Sequence, residues 1–187
     1  MNATAALLCA GLLFGAPVPK DLAKSNTVVI ETTLGNIVVE LDFEKVPKTV
    51  ANFLKYADDS FYNGLTFHRV IPTFMIQGGG YDKELNEKKP RPPISNESTN
   101  GLSNVRGAIS MARAAATDSG TSQFFINTKD NLQLDFTERN PGYCAFGKVL
   151  KGMDSVEKIA AVKTVALKGM KDVPEEPVEF KTVRRTR

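Results

Sequence analysis

The chain has 187 residues, of which 42% are hydrophobic and 24% are charged, and its formal net charge is +3. This length and composition are typical of one globular domain with a buried core. Four positive charges, at Lys181, Arg184, Arg185 and Arg187, lie near the C-terminus, so the rest of the chain is close to neutral. A neutral body argues against a nucleic-acid partner, which needs clustered basic residues, and residues 184–187 are predicted to be a solvated basic tail.

The N-terminal residues 3–18 are apolar. They have the length of a signal-peptide core and are too short, with Gly and Pro inside, to span a membrane. Residues 1–26 are therefore predicted to be a signal peptide and a short polar joint, which implies a periplasmic protein without stable membrane association after leader removal. A cytoplasmic location is the alternative, because no Lys or Arg precedes the apolar run and no Ala-x-Ala site ends it.

The body of the chain begins with strand-like runs at residues 27–31 and 36–42, which flank Thr33-Leu34-Gly35 and predict a β-hairpin. Pro47 is predicted to begin a helix, since proline suits the first helical position. Apolar residues of this helix recur at i, i+3, i+4 and i+7, as expected of a face that packs on a sheet. They are Val50, Phe53, Leu54 and Ala57.

A single arginine interrupts the otherwise apolar, strand-like run in residues 66–80. Strand alternation places Arg69 on one face with Phe67 and Ile71, and places His68 on the opposite face. A permanent cation among large apolar groups must be ion-paired, exposed to solvent or part of a functional site. His68 alone favours a structural histidine over an acid or base, because no nucleophile motif accompanies it.

The following residues predict a loop-rich middle and several more short strands. Gly78-Gly79-Gly80 lacks the patterns of phosphate-binding loops and predicts a tight turn. Further strand candidates are residues 107–112, 123–127 and 143–150, and a second short helix is predicted at 154–161. Many short strands with two distant helices indicate a mostly β fold, an antiparallel barrel or sandwich.

The remaining candidate residues are two glutamines inside apolar runs, Gln77 and Gln123, whose amides must find partners or face a cavity. Bonds to nearby backbone are the simpler explanation for both. With one histidine and two distant cysteines, the chain lacks metal-site spacing, and no cofactor motif is present, so neither a metal nor a cofactor is expected. Cys144 is predicted to be a small core residue.

Two separated motifs resemble the cyclophilin family of peptidyl-prolyl cis-trans isomerases. They are Phe-His-Arg-Val-Ile-Pro-x-Phe-Met-Ile-Gln-Gly-Gly at residues 67–79 and Ser-Gln-Phe-Phe-Ile at 122–126. The resemblance covers about residues 27–183. It is closest to the bacterial periplasmic members, which share Lys-Lys-Pro-x-Pro-Pro-Ile at residues 88–94, and this similarity also favours export.

The resemblance implies a closed eight-stranded antiparallel β-barrel capped by two α-helices. It also implies an isomerase that accelerates X-Pro bond rotation in proline-containing polypeptides and assists the folding of exported proteins, acting as a monomer. The alternative is a chaperone module that binds proline peptides, with incidental turnover. Retention of the arginine donor favours catalysis, because binding alone would tolerate its loss.

By the same resemblance, the catalytic residues are Arg69, Gln77 and Gln123, with Gln77 also orienting Arg69. The implied substrate-binding residues are His68, Phe74, Met75, Ala112, Arg113 (through its backbone), Phe125, Leu134 and Tyr143. His68 and Tyr143 would lie at the rim of the cleft. The family's tryptophan position falls on Gln133, so we expect weak cyclosporin binding while isomerase activity persists.

Overall fold

A computed structural model describes residues 26–186. This part of the chain contains ten strands and two α-helices. In chain order they are β1 (Thr27–Thr32), β2 (Gly35–Leu41), α1 (Pro47–Asp58), β3 (Arg69–Ile71), β4 (Met75–Gly78), β5 (Ala108–Met111), β6 (Phe124–Asn127), β7 (Ala145–Lys151), α2 (Met153–Ala160), β8 (Thr164–Leu167), β9 (Met170–Pro174) and β10 (Phe180–Arg185). Eight strands form one antiparallel sheet in the order β10-β1-β2-β7-β5-β6-β4-β3.

The predicted closed barrel is wrong, because the sheet is curled into an open half-barrel whose end strands β3 and β10 do not pair as strands. The gap is spanned by an isolated bridge between Thr66 and Glu179 and by the Phe67 N–H, which donates to the Val178 carbonyl at 3.0 Å. β3 is only three residues long. Because the neighbouring Thr66 N–H donates to the Tyr81 carbonyl at 2.9 Å, the ladder between the two end strands is not continuous.

The predicted first hairpin and first helix are confirmed. In the hairpin turn, the Thr32 hydroxyl donates to the Gly35 carbonyl at 2.7 Å and accepts from the Leu34 N–H at 3.1 Å. The apolar face of α1 is almost fully buried, and burying one such side chain contributes about 1.5–3 kcal/mol. The predicted stripe has exposed fractions of 0% at Val50 and Phe53, 1% at Leu54 and 4% at Ala57.

The second helix and the core cysteine also match the sequence. α2 begins at Met153, one residue before the predicted start. Gly152 precedes it in the left-handed region (φ +91°), and a Cβ there would lie 2.1 Å from the Asn36 carbonyl, so only glycine fits. Cys144 is buried, as predicted, and this burial raises the pKa of its thiol to about 11.

Two C-terminal features differ from the sequence predictions. β8 and β9 form a separate two-stranded hairpin that the sequence analysis missed, and β9 packs against β3. β10 continues through Arg185, so residues 184 and 185 belong to the sheet rather than to a tail. Both are ion-paired, Arg184 with Glu31 at 2.7 Å and Arg185 with Asp58 at 2.6 Å.

The predicted leader lies outside the described residues. Within residues 26–186, neither helix has the length and apolar character needed to cross a bilayer.

Candidate active site

A cavity of about 380 Å³ opens at the β3–β4–β6 end of the sheet. The structure brings all eleven residues implied by the family resemblance to its walls. The lining consists of His68, Arg69, Phe74, Met75, Gln77, Tyr81, Ala112, Arg113, Gln123, Phe125, Leu134, Tyr143 and Met170. Two further lining residues are not predicted from the sequence: Tyr81 lies just beyond the end of the first motif, and Met170 comes from a segment distant from both motifs.

The predicted strand alternation through residues 66–71 is wrong. The strand begins only at Arg69, and Phe67 is hydrogen-bonded instead to Val178, on the far side of the gap. Phe67 is fully buried in the core. His68 lines the same cavity as Arg69 rather than the opposite face.

The three polar residues Arg69, Gln77 and Gln123 form a chain of hydrogen bonds along one wall. Arg69 lies opposite Gln77 in the β3–β4 ladder, and its Nη1 donates to Gln77 Oε1 at 3.4 Å. Gln77 Nε2 then donates to Gln123 Oε1 at 3.0 Å. A guanidinium can only donate hydrogen bonds, so the amide oxygen of Gln77 must face Arg69 and its amide NH2 group must face Gln123. We call this chain the cleft network.

The Arg69 side chain is both paired and accessible. Its Nε lies 3.9 Å from Asp172 Oδ2, and the two side chains are 40% and 41% exposed. The arginine is therefore not locked in a buried ion pair. Among the described residues, Gln77 and Asp172 are the polar side chains paired with this guanidinium, which leaves N–H groups available to a ligand.

A glycine makes room for the cleft network. A Cβ on Gly80 would lie 2.7 Å from the side chain of Gln123. Any larger residue would therefore displace the amide that accepts from Gln77. The glycine triplet serves close packing here, and Gly79 lies in the left-handed region at φ +87°.

An apolar slot lies beside the cleft network. Met75 and Phe125 are 2% and 4% exposed, and Phe74 and Leu134 complete the apolar lining. Phe125 contacts the Tyr143 ring edge-on, with centroids 5.7 Å apart. The slot therefore presents rigid hydrocarbon next to a guanidinium, which suits a compact apolar group joined to a polar bond.

The rim of the cavity is held by Arg113, whose guanidinium lies 4.6 Å from the centre of the Tyr143 ring. Its Nε donates to the Gly142 carbonyl at 2.9 Å. The side chain thus fixes the rim, while the backbone role implied for this residue stays a prediction. Gln133 is exposed and does not line the cavity; its Nε2 donates to Asn131 Oδ1 at 3.4 Å.

His68 is a buried, neutral side chain. It is 3% exposed, and its ring lies 4.7 Å from that of Tyr81. Burial lowers the pKa of His68 to about 4, and the neighbouring Arg69 charge adds to this effect. Near neutral pH the imidazole therefore carries no charge, and the cationic residues that line the cavity are Arg69 and Arg113.

A second group of polar side chains lies beneath the slot, and all of its members except the partly exposed Asp135 are completely buried. We call these residues the floor network: Asn104, Ser110, Asn127, Asn131 and Asp135. Asn104 Oδ1 accepts from the Ser110 hydroxyl at 2.7 Å, and Asn131 Nδ2 donates to Asn127 Oδ1 at 2.8 Å. Burial alone would raise the pKa of Asp135, but hydrogen bonds from Ser103 and Asn104 lower it below the ordinary value.

The floor network holds the backbone of the slot. Asn131 Nδ2 donates to the Phe74 carbonyl at 2.8 Å, and Asn104 Nδ2 donates to the Tyr143 carbonyl at 3.2 Å. The Tyr143 N–H in turn donates to the Leu134 carbonyl at 2.8 Å. Three residues that line the cavity are thereby fixed through their main chain.

A slightly larger cavity, of about 410 Å³, lies between β2, β7 and the segment 102–105. Its lining includes Glu40, which is ion-paired with Lys148 at 3.1 Å, and no residue of the two sequence motifs. Across residues 26–186, no group of three His, Cys, Asp or Glu side chains could hold a metal ion. The accessible guanidinium and the apolar slot therefore favour the 380 Å³ cavity as the functional site.

Comparison with protein families agrees with this assignment. The family described as cyclophilin type peptidyl-prolyl cis-trans isomerase/CLD matches residues 27–185. Peptidyl-prolyl cis-trans isomerase A from Dickeya dadantii is 48% identical over 160 residues, which are 86% of this chain and 84% of that protein. A peptidyl-prolyl cis-trans isomerase from Acinetobacter baylyi is 48% identical over 180 residues, 96% of this chain and 93% of that protein.

Solved structures share the fold. A cyclophilin type peptidyl-prolyl cis-trans isomerase from Cryptosporidium parvum, crystallised in the presence of the dipeptide Ala-Pro, superposes with a TM-score of 0.72 at 26% identity. The superposition covers 86% of this chain and 99% of that one.

Proposed function

The chain belongs to the cyclophilin-type peptidyl-prolyl cis-trans isomerases, and we propose that it catalyses X-Pro bond rotation by directing the Arg69 guanidinium at the prolyl nitrogen. The observation that carries this proposal is the position of that group. It is half-exposed at the wall of the cavity, beside an apolar slot, and it is hydrogen-bonded to Gln77.

The reaction requires no covalent step. Rotation about a peptide bond breaks amide resonance, with a barrier of about 18–20 kcal/mol. As the bond twists, the prolyl nitrogen becomes pyramidal and recovers a lone pair. A donor aimed at this nitrogen therefore binds the twisted state better than either planar isomer, which lowers the barrier.

Each wall of the cavity has a part in this mechanism. Phe74, Met75, Phe125 and Leu134 would hold the proline ring by apolar contact, while Gln77 keeps the guanidinium directed at the bond. Gln123 holds the Gln77 amide in the required orientation. Since a guanidinium can donate hydrogen bonds without giving up its proton, the donor needs no proton transfer to act.

We propose proline-containing polypeptides as substrates. The Cryptosporidium parvum relative was crystallised in the presence of Ala-Pro, and the slot here has the volume and apolar lining suited to a proline side chain. The N-terminal apolar run further supports export to a periplasm, where the enzyme would assist protein folding. Cell fractionation with N-terminal sequencing of the mature protein tests this location, and a cytoplasmic chain with an intact N-terminus would contradict it.

The alternative function is a proline-peptide chaperone in which turnover is incidental. Both functions use the apolar slot, but only catalysis requires the directed arginine. The cleft network, which positions that arginine at the cost of ordering three polar side chains, favours the enzyme.

The experiment is a proline-peptide isomerisation assay that compares the native protein with Arg69→Ala. We expect kcat/KM to fall about 10²- to 10³-fold, since removal of one directed donor costs about 3–4 kcal/mol. Arg69→Lys should recover little activity, because an ammonium lacks the planar fork.

The matched control for this experiment is Arg106→Ala. Arg106 is also half-exposed and ion-paired, with Glu157, but it lies outside the cavity. This control should keep the native rate. Equal rates for Arg69→Ala and the native protein would remove the proposed mechanism, and absence of activity in both would favour the chaperone.

A further inference from the structure

The guanidinium of Arg69 is approached from a second side by a residue outside both sequence motifs. While Nη1 bonds to Gln77 at 3.4 Å, Nε faces the carboxylate of Asp172 at 3.9 Å. A guanidinium is a planar fork at the end of a long flexible side chain, so partners on two different edges restrict its orientation more than one partner does. Gln77 engages one edge, and Asp172 is placed to engage the other.

The backbone of Asp172 is unusual for a residue within a strand. Its φ is +60°, in the left-handed region, where L-residues other than Asn, Asp and Gly are disfavoured. Such a conformation persists when surrounding contacts impose it, and it is found preferentially at functional positions. Here it occurs in β9 at the residue that faces the proposed catalytic arginine.

The β8–β9 hairpin is fixed at two points. β9 packs against β3, which carries Arg69. At the tip of the hairpin, Lys168 Nζ donates to the Glu84 carbonyl at 2.6 Å. Met170, two residues before Asp172, lines the cavity itself. The hairpin is thus one wall of the site, although it is not part of the eight-stranded sheet.

We propose that Asp172 is a positioning residue for catalysis: the β8–β9 hairpin holds its carboxylate against Nε of Arg69, so that the remaining N–H groups of the guanidinium point to the bound X-Pro bond. Asp172 does not line the cavity and acts through Arg69 alone. This inference rests on the proposed function of Arg69.

The test uses Asp172→Asn and Asp172→Gly in the isomerisation assay. Asparagine keeps the shape and tolerates the left-handed backbone, while glycine adopts that backbone without strain, so both should fold. We expect each to lower kcat/KM about 3- to 10-fold, mainly through kcat, because orientation is lost while the apolar slot is intact. The glycine variant should unfold at the same or a higher denaturant concentration than the native protein.

A matched control is Glu175→Gln, which removes a carboxylate next to the same hairpin. Glu175 is ion-paired with Lys163 at 2.8 Å and lies outside the cavity. It should keep native kcat/KM. In the Arg69→Ala background, Asp172→Asn should have no further effect, since the residue is proposed to act only through that arginine.

A spectroscopic measurement separates pairing from activity. The Nε–Hε signal of Arg69 in a ¹H–¹⁵N spectrum, assigned by its loss in Arg69→Ala, should shift in Asp172→Asn and stay in place in Glu175→Gln. An unchanged signal in Asp172→Asn, or an equal rate loss in both Arg69 backgrounds, would overturn the inference. If the Asp172 variants keep the native rate while Arg69→Ala is impaired, the inference about Asp172 is overturned and the proposed function stands. If Arg69→Ala itself keeps the native rate, the proposed function is overturned.

Discussion

The cleft network and the floor network lie on two sides of the same apolar slot and differ most in how far their side chains are exposed. In the cleft network, Arg69 is half-exposed and its bond to Gln77 is long, 3.4 Å. In the floor network, Asn104 and Ser110 are 0% exposed and joined at 2.7 Å. An exposed polar group exchanges its partner for water at little cost, whereas a buried one cannot. The cleft network therefore presents a charge to a ligand, and the floor network supports the frame.

The strongest test of this division is Asn104→Ala in the floor network. The substitution removes the acceptor of the Ser110 hydroxyl and donors to Asp135 and the Tyr143 carbonyl. Buried groups left without partners should lower the free energy of unfolding by about 3 kcal/mol. Urea denaturation measures this loss.

The counterpart is Gln77→Ala, which removes the same amide group from the cleft network. Because Gln77 is partly exposed, its loss should change the free energy of unfolding by less than about 1 kcal/mol, while kcat/KM falls because Arg69 loses an anchor. The proposed division of roles would be wrong if the two variants lost similar stability.

His68 does not fit this division, since it lines the cavity but is as buried as the residues of the floor network. Its pKa is about 4 in the folded protein and near 6.5 in an unfolded chain. Between these values the unfolded state binds the proton more readily. Stability is therefore complete above about pH 6.5 and is lost as the pH falls toward 4, by about 2 kcal/mol at pH 4.5.

The measurement is the change in unfolding free energy between pH 7.5 and 4.5 for the native protein and His68→Gln. Glutamine does not titrate, so other groups contribute equally to both proteins and the difference isolates His68. We expect the native protein to lose about 2 kcal/mol more than the variant. Parallel pH dependences would show that the imidazole is as solvated as the rest of the cleft.

The division between what the sequence predicts and what it misses follows the range of the interactions. The α1 stripe and the first hairpin are local patterns, and both were predicted. The open edge of the sheet was not, because it depends on how residues 64–67 meet 178–180, more than 100 positions away.

The candidate site shows the same limit. The motif residues line one cavity because each motif is a contiguous segment that lies largely in strands. Tyr81, Met170 and Asp172 approach it from loops and a hairpin whose residues alternate poorly between apolar and polar. The Lys168-Gly169 turn was the one local signal for that hairpin. Strand alternation predicts the wrong face for His68, because the strand begins only at Arg69.

The smallest predicted effect concerns Gln133, which lies in the turn Leu132–Leu134 and donates to Asn131 of the floor network. An exposed amide outside the cavity offers a large apolar ligand little contact, so cyclosporin should bind weakly. Gln133→Trp should tighten its binding about 5-fold, as one added aromatic contact contributes about 1 kcal/mol. Catalysis should be unchanged, because the side chain touches neither Arg69 nor the slot. Inhibition titrations of both proteins measure the difference, and tight inhibition of the native enzyme would mean that cyclosporin affinity comes from the slot alone.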